Sequence, residues 1–165
     1  TDALLHVFRR PLPEVLEREF MGPIGASSTW QWHAYDNAGV LMDGRRMPSV
    51  PGGSHWGGGI WINTLDHARI GYLMLRRGRW GERQLLSEDW IDLATTPCEH
   101  NPQYGYMWWL NSDRKMFPAG SKRAFAAIGA GGNLVFVDPD SDLVIVTRWA
   151  MDAPKVVGQV LTAQQ

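Results

Sequence analysis

Two short strings in the chain spell catalytic chemistry. Ser112-Asp113-Arg114-Lys115 has the spacing Ser-x-x-Lys. At a helix N-terminus that spacing sets an ammonium one turn from a hydroxyl and activates it as a nucleophile. In this chain the string follows a strand-like run and has no apolar periodicity, so a charged hairpin tip is expected instead. Tyr35-Asp36-Asn37 spells Tyr-x-Asn and reads as a surface loop. The five histidines (His6, His33, His55, His67 and His100) contain no i, i+4 pair and no second ligand at zinc spacing. They read as solvated or hydrogen-bonded side chains, and no metal or organic cofactor is expected. Gly129-Ala130-Gly131-Gly132 leads into a strand-like run, so it cannot seat a pyrophosphate on a helix N-terminus. Neither a phosphate loop nor a Gly-x-Ser-x-Gly elbow is present.

The elements around these strings come from pattern. Residues 2–10 read as a helix end, with Leu4, Leu5 and Phe8 on one side and Pro11 stopping it. Residues 14–21 read as a short helix with Leu16 and Phe20 inward. Between Trp30 and Gly59 there is little periodicity and much turn chemistry, including glycine clusters that bracket His55 and Trp56. The clearest helix starts at Thr64 as N-cap and runs through Leu75, with Gly78 as its C′ residue. Another starts at Ser87 and runs to about Ala94. After Pro97 the pattern turns to β: residues 104–110, 124–130, 134–137 and 143–149 are expected strands. Residues 138–142 are expected to close a hairpin as a five-residue loop, and Pro154 to open a terminal helix. The class is α+β: residues 1–97 mainly helix and loop, residues 98–165 antiparallel strands plus a C-terminal helix.

Composition narrows the function further. Apolar residues make up 44% and charged residues 20%, which is globular rather than disordered or fibrous. A net charge of −1 leaves no basic excess for a phosphate backbone, so no nucleic-acid partner is expected. A single cysteine, Cys98, excludes an internal disulfide framework and leaves the compartment open. The longest mostly apolar run, 125–137, is too short and too glycine-rich to span a bilayer. Nine tryptophans suit a core or an apolar cleft.

Four segments in order resemble a known family. Residues 126–149 read Ala-Ala-Ile-Gly-Ala-Gly-Gly-Asn-Leu-Val-Phe-Val-Asp-Pro-Asp-Ser-Asp-Leu-Val-Ile-Val-Thr-Arg-Trp. They resemble the last strands of the serine β-lactamase and penicillin-binding-protein superfamily, in its class C-like esterase, amidohydrolase and peptidase branch. Residues 20–30 are similar to its "F-x-P-L-G-M-x-x-T" helix exit. Residues 57–71 are similar to its "A-G-G-L-x-S-T-x-x-D-L-A-R-F-G" segment, and residues 104–109 to its "Y-G-Y-G-W" strand. The resemblance implies acyl transfer to a serine and hydrolysis of a small ester or amide. It places the family's Lys-Thr-Gly or His-Gly-Gly triad on Ala127-Ile128-Gly129. Ala130 then becomes the backbone donor to the oxyanion, with Ala127, Ile128, Gly129 and Gly131 as pocket wall. His55 and Trp56 would sit at the rim.

The chain also departs from the family. Ala127 stands where the family carries Lys or His, so no charge or proton is offered there. The family's Ser-x-x-Lys and Tyr-x-Asn lie upstream of the helix at residues 14–21, and neither Ser112–Lys115 nor Tyr35–Asn37 is in that place. The chain is therefore expected to be the C-terminal half of such a hydrolase. Loss of a nucleophile costs on the order of 10⁶ in kcat, whereas one oxyanion donor is worth about 10²–10³. Alone, the chain is expected to be inactive, and its partner to be the missing N-terminal half or a second copy. The alternative is a non-catalytic binding module for glycan or peptidoglycan-like ligands. It requires Trp30, Trp32, Trp56 and Trp61 to share one exposed platform.

Overall fold

The computed structural model of the chain describes residues 2–50 and 59–164. The architecture is α+β, in two compact units, residues 1–66 and 67–165.

In the first unit, α1 (Asp2–Phe8) buries Leu5. Next, α2 (Leu12–Leu16) begins with proline in its first turn, where the missing N–H costs nothing. It runs into a π-helical turn, Glu17–Met21, closed by the Gly22 N–H donating to the Glu17 carbonyl at 2.8 Å. The wider turn rotates the later side chains backwards. Met21 is buried after the turn, as is Leu12 ahead of it, and Leu16 and Phe20, expected inward, are half-buried.

The stretch from Trp30 to Gly59, which reads as turns, and the residues just after it contain four short strands among the described residues. β1 (Gln31–His33) pairs antiparallel with β4 (Gly59–Trp61), and β2 (Gly39–Met42) with β3 (Arg45–Pro48). Asp43 and Gly44 both have positive φ, 52° and 72°, as a type I′ hairpin turn requires. The charged run Arg45-Arg46 masks the period of two. Val40, Met42 and Met47 close a small core with Leu5.

The N-cap of α3 (Thr64–Leu75) is Asn63, not Thr64: Asn63 Oδ1 accepts the Asp66 N–H at 2.8 Å. Asp66 itself is fully buried. Its carboxylate accepts from the Ser27 N–H at 3.0 Å, Ser27 Oγ at 2.6 Å and Asn63 Nδ2 at 2.6 Å. That knot ties the loop after the π turn to the start of α3. At the other end the Schellman register places Arg77, with φ 53°, at C′ and Gly78 one residue beyond. The Gly78 N–H reaches the Leu73 carbonyl at 2.8 Å.

The second unit is a four-stranded antiparallel sheet in the order β10-β9-β8-β7. Its strands are β7 (Trp109–Leu110), β8 (Phe125–Gly129), β9 (Asn133–Asp138) and β10 (Leu143–Thr147). A small hairpin, β5 (Arg79–Trp80) with β6 (Arg83–Gln84), precedes α4 (Glu88–Ala94). Ser87 caps α4 through the Trp90 N–H at 3.1 Å. One face of the sheet carries Phe125, Val135 and Val137 against Met74 and Ile91 of α3 and α4. The other carries Ala126, Phe136 and Ile145 against α5 (Ala153–Ala163), which buries Ala153, Val157 and Leu161 at helical spacing. Gly71 lets α3 lie directly on the sheet: a Cβ there would sit 2.7 Å from Val135 and from Val144.

Strand boundaries differ from expectation in places; β10 ends at Thr147, short of the expected residue 149, where Trp149 at φ 54° leaves the extended conformation. Of residues 104–110, 109–110 form strand. The chain turns at 105–108, where Met107 has φ 65° and the Tyr106 N–H bonds to the Ala94 carbonyl at 3.0 Å. The loop between β9 and β10 has four residues, because Asp138 stays in the ladder opposite Leu143. Its buried carboxylate holds it there. Oδ1 accepts from Ser121 Oγ at 2.6 Å and the Asp140 N–H at 3.1 Å, and Oδ2 accepts from the Ser121 N–H at 2.9 Å.

Candidate active site

The residues singled out by family pattern lie along β8 and the turn that follows it. Gly129 pairs with Asn133, so Ala130-Gly131-Gly132 closes a three-residue hairpin. Positive φ at Gly131 (76°) and Gly132 (71°) makes the tight closure feasible. A Cβ on Gly132 would lie 1.7 Å from the Ala150 carbonyl oxygen, and one on Gly131 2.5 Å from the Trp149 ring. Both positions therefore accept nothing larger than glycine.

Asn133 organises the tip. Its Nδ2 donates to the Ala130 carbonyl at 2.7 Å, while Oδ1 accepts from Arg148 Nε at 3.0 Å and the Trp149 N–H at 3.4 Å. Thr147 Oγ1 adds a bond to the Gly132 carbonyl at 2.9 Å. Behind Arg148 stands His67 of α3. Burial first, and then the Arg148 charge, push its pKa down, and its buried Nδ1 has no hydrogen-bond partner. The string Gly-Gly-Asn is a recognisable turn signal, but the partners of Asn133 on the far side, Arg148 and Trp149, lie fifteen and sixteen residues away and leave no local trace.

The backbone direction of β8 follows from one bond. The Asn111 N–H donates to the Ala124 carbonyl at 2.9 Å, so the main-chain groups of Ala124 point towards β7. Alternation sends those of Ala126 and Ile128 the same way and those of Phe125, Ala127 and Gly129 towards β9. β7 pairs with Phe125 and Ala126 and goes no further. Past that point the chain before β7 turns off at residues 105–108. Among the described residues, no strand lies along the β7 side of β8 at Ile128. Ile128 is 40% exposed, and Gly129, Ala130 and Gly131 are exposed as well. Ala127 is half-buried, its methyl packed against the core shared with Phe125 and Val135. His55 and Trp56 lie outside the described residues.

The two catalytic-looking strings are loops. Residues 112–115 form turns in the β7–β8 connection, where Lys115 Nζ lies 3.4 Å from Asp113 and Ser112 Oγ donates to the Pro102 carbonyl at 3.4 Å. The Lys115 N–H and then its ammonium hold the Asp113 carboxyl below the usual carboxylate range. Lys115 thus answers to Asp113. Tyr35-Asp36-Asn37 is a turn closed by the Ala38 N–H on the Tyr35 carbonyl at 3.0 Å. Among the described residues no cluster of metal-ligating side chains occurs, and no helix is long and apolar enough to cross a membrane.

The tryptophans of the first unit do not make one platform. Gln31 is opposite Trp61 and Trp32 opposite Ile60, so Trp32 and Trp61 project from opposite faces of the β1–β4 ribbon. Trp30 Nε1 is tied to Glu17 at 3.0 Å, and the Trp61 ring meets the His33 ring at 4.6 Å between centroids, tilted by 58°. Trp56 is outside the described residues.

Comparison with known proteins agrees with the resemblance. No family model matches the chain. A protein of Escherichia coli O157:H7, provisionally named a D-alanyl-D-alanine carboxypeptidase, is 24% identical over 170 residues, covering 83% of this chain. One of the same name from Escherichia coli K12 is 27% identical over 112 residues, covering 66%. The chain spans 39% and 26% of the lengths of these relatives. In fold, a crystal structure described as a β-lactamase from Bacteroides dorei DSM 17855 superposes with a TM-score of 0.58. That match has 13% identity and covers 91% of this chain and 50% of the other. The fold is β-lactamase-like, and the names of the sequence relatives are consistent with the resemblance to the serine β-lactamase and penicillin-binding-protein superfamily.

Proposed function

We propose that this chain forms the backbone wall of a serine-hydrolase site that cleaves an ester or amide by acyl transfer. The attacking Ser hydroxyl, with its activating Lys, comes from a segment N-terminal to Thr1. When that hydroxyl attacks the substrate carbonyl, a C–O bond forms and the carbonyl electron pair moves onto oxygen. The N–H of Ala130, two residues beyond Ile128 on the open side of β8, donates to that oxyanion. Collapse expels the alcohol or amine, which takes the proton, and water then releases the acid. Ala127, Gly129 and Gly131 line the wall with small groups beside the exposed Ile128 side chain, and none of the four carries a charge.

The observation that supports this reading is the reach of β8 beyond the two residues that β7 covers. An open strand edge of small residues is what a backbone oxyanion donor needs. The relatives' names favour an amide substrate, but Ala127 supplies no cation at the triad position. A neutral ester or amide therefore suits this wall better than a peptide ending in a free carboxylate.

The test is labelling with a fluorophosphonate probe. The chain alone should not label. Mixed with, or fused to, the upstream segment it should label at a serine of that segment and hydrolyse chromogenic esters. Labelling of this chain alone at Ser112 would overturn the reading, as would an active mixture whose turnover is unchanged when the Ala130–Gly132 turn is disrupted.

A further inference from the structure

The first unit gathers four arginines around one hollow. Arg9 and Arg10 occupy the bend between α1 and α2, and Arg45 and Arg46 open β3. With Glu14 and Met47 among their neighbours they line a cavity of about 450 Å³. Local chemistry fixes its frame. Arg9, at φ 53°, makes the left-handed turn that ends α1, and its N–H donates to the Leu5 carbonyl at 2.8 Å. Pro11 then sets the bend and Pro48 ends β3, so the arginine backbones are in place before any ligand arrives. Alternation along β3 puts Arg45 on the face of Met47, which is buried with Leu5 of α1. Arg46 belongs to the other face, where its side chain lies over Gly39, and it adds to the rim of the cavity.

The charges around the cavity do not cancel. Among the described residues Arg9 is ion-paired, with Asp43, whereas Arg10, Arg45 and Arg46 form no ion pair. Glu14 is the one carboxylate on the lining. Three unpaired guanidiniums against one carboxylate leave an excess of two positive charges. The whole chain carries −1, so this excess is local. Like charges held this close repel one another, and a bound anion relieves the repulsion. We propose, independently of the hydrolase reading, that the cavity binds a doubly charged phosphate group, held between Arg10 and Arg45. A guanidinium fork meets two oxygens of a tetrahedral oxyanion at once, which a chloride ion cannot offer. The hollow has room for the phosphate and a small organic body, and Met47 gives that body an apolar floor. Glu14 opposes the phosphate charge and limits its affinity.

The test is a nuclear magnetic resonance titration of the full chain with inorganic phosphate, in low salt above neutral pH. Amide shifts confined to residues 8–14 and 45–48 are expected, and chloride at equal ionic strength should give none. Arg10→Gln or Arg45→Gln should weaken phosphate binding about tenfold, and Glu14→Gln should tighten it about threefold. Arg83→Gln removes an exposed arginine of β6 in the second unit and should leave binding unchanged. A second arm measures co-sedimentation with phosphatidic acid vesicles, with phosphatidylcholine vesicles as the blank. Phosphate binding without vesicle binding assigns a soluble phosphate ester. Vesicle binding that is lost in Arg10→Gln and Arg45→Gln assigns a lipid headgroup. Circular dichroism checks folding, and if a variant unfolds, the wild-type shift map decides. Shifts scattered over the surface would overturn the proposal, as would equal losses in Arg83→Gln and Arg45→Gln. So would the absence of both phosphate and vesicle binding at millimolar ligand.

Discussion

The two ends of β9 close in different ways. At its C-terminal end Asp138 is fully buried, and its carboxylate takes three hydrogen bonds from Ser121 and Asp140. At its N-terminal end Asn133 is half-buried and holds an exposed turn through a neutral amide, while two glycines supply the backbone shape. A buried carboxyl group held by several donors gives a rigid corner. A neutral side chain at the surface fixes the turn without covering it. One corner serves stability, and the other keeps a strand edge within reach of solvent.

The largest expected effect is at Gly132. Gly132→Ala places a methyl against the Ala150 carbonyl in a left-handed conformation. We expect a loss of roughly 3 kcal/mol in denaturant unfolding. Gly81→Ala is the control. Its φ is also positive, at 56°, but nothing lies within 4 Å of the added methyl. The cost there should be near ~1 kcal/mol. Equal costs would mean that the β8–β9 turn is not locked by packing. Asp138→Ala comes next, at about 2–3 kcal/mol by the same measurement, because it strands the Ser121 and Asp140 N–H groups. Asn133→Ala should cost about 1 kcal/mol and should speed amide exchange at residues 130–132 while leaving residues 139–142 unchanged. A global effect as large as that of Asp138→Ala would erase the distinction between the two corners.

The smallest effect is a pH dependence confined to the exposed corner. His67 has its pKa pushed below the usual 6.5 by burial, then by Arg148. The folded chain therefore binds this proton less well than the unfolded chain does. Its contribution is intact above pH 6.5 and is lost as pH falls through the folded value. His67→Phe should flatten that part of the stability profile measured by thermal melts, and a wild-type profile that rises on acidification would contradict the assignment.

Much of the fold is legible in the chain. The β8, β9 and β10 runs, the Ser87 cap and the terminal helix follow from period and capping chemistry, because their apolar positions face one core. The strands at 31–48 and 59–61 are not legible in this way. They are three or four residues long, and Arg45-Arg46 and Gly39 break the alternation, although Asp43-Gly44 carries the hairpin signal. The π turn leaves no sequence signature either, and within it Met21 is buried while Phe20 is only half-buried. At the candidate site the small-residue run is readable from Ala127 to Gly131. The roles of Asn133, Arg148 and His67 are not, because they depend on contacts between β9, β10 and α3 that no local pattern records.

Residue-resolved hydrogen exchange along β8 tests the central claim most directly. If the β7 side of the strand is open beyond Ala126, the amides of Ile128 and Ala130 should exchange rapidly while those of Ala127 and Gly129, bonded to β9, stay protected. Slow exchange at Ala130, matching its neighbours, would show that its N–H is already spent within the fold and would contradict its assignment as an oxyanion donor.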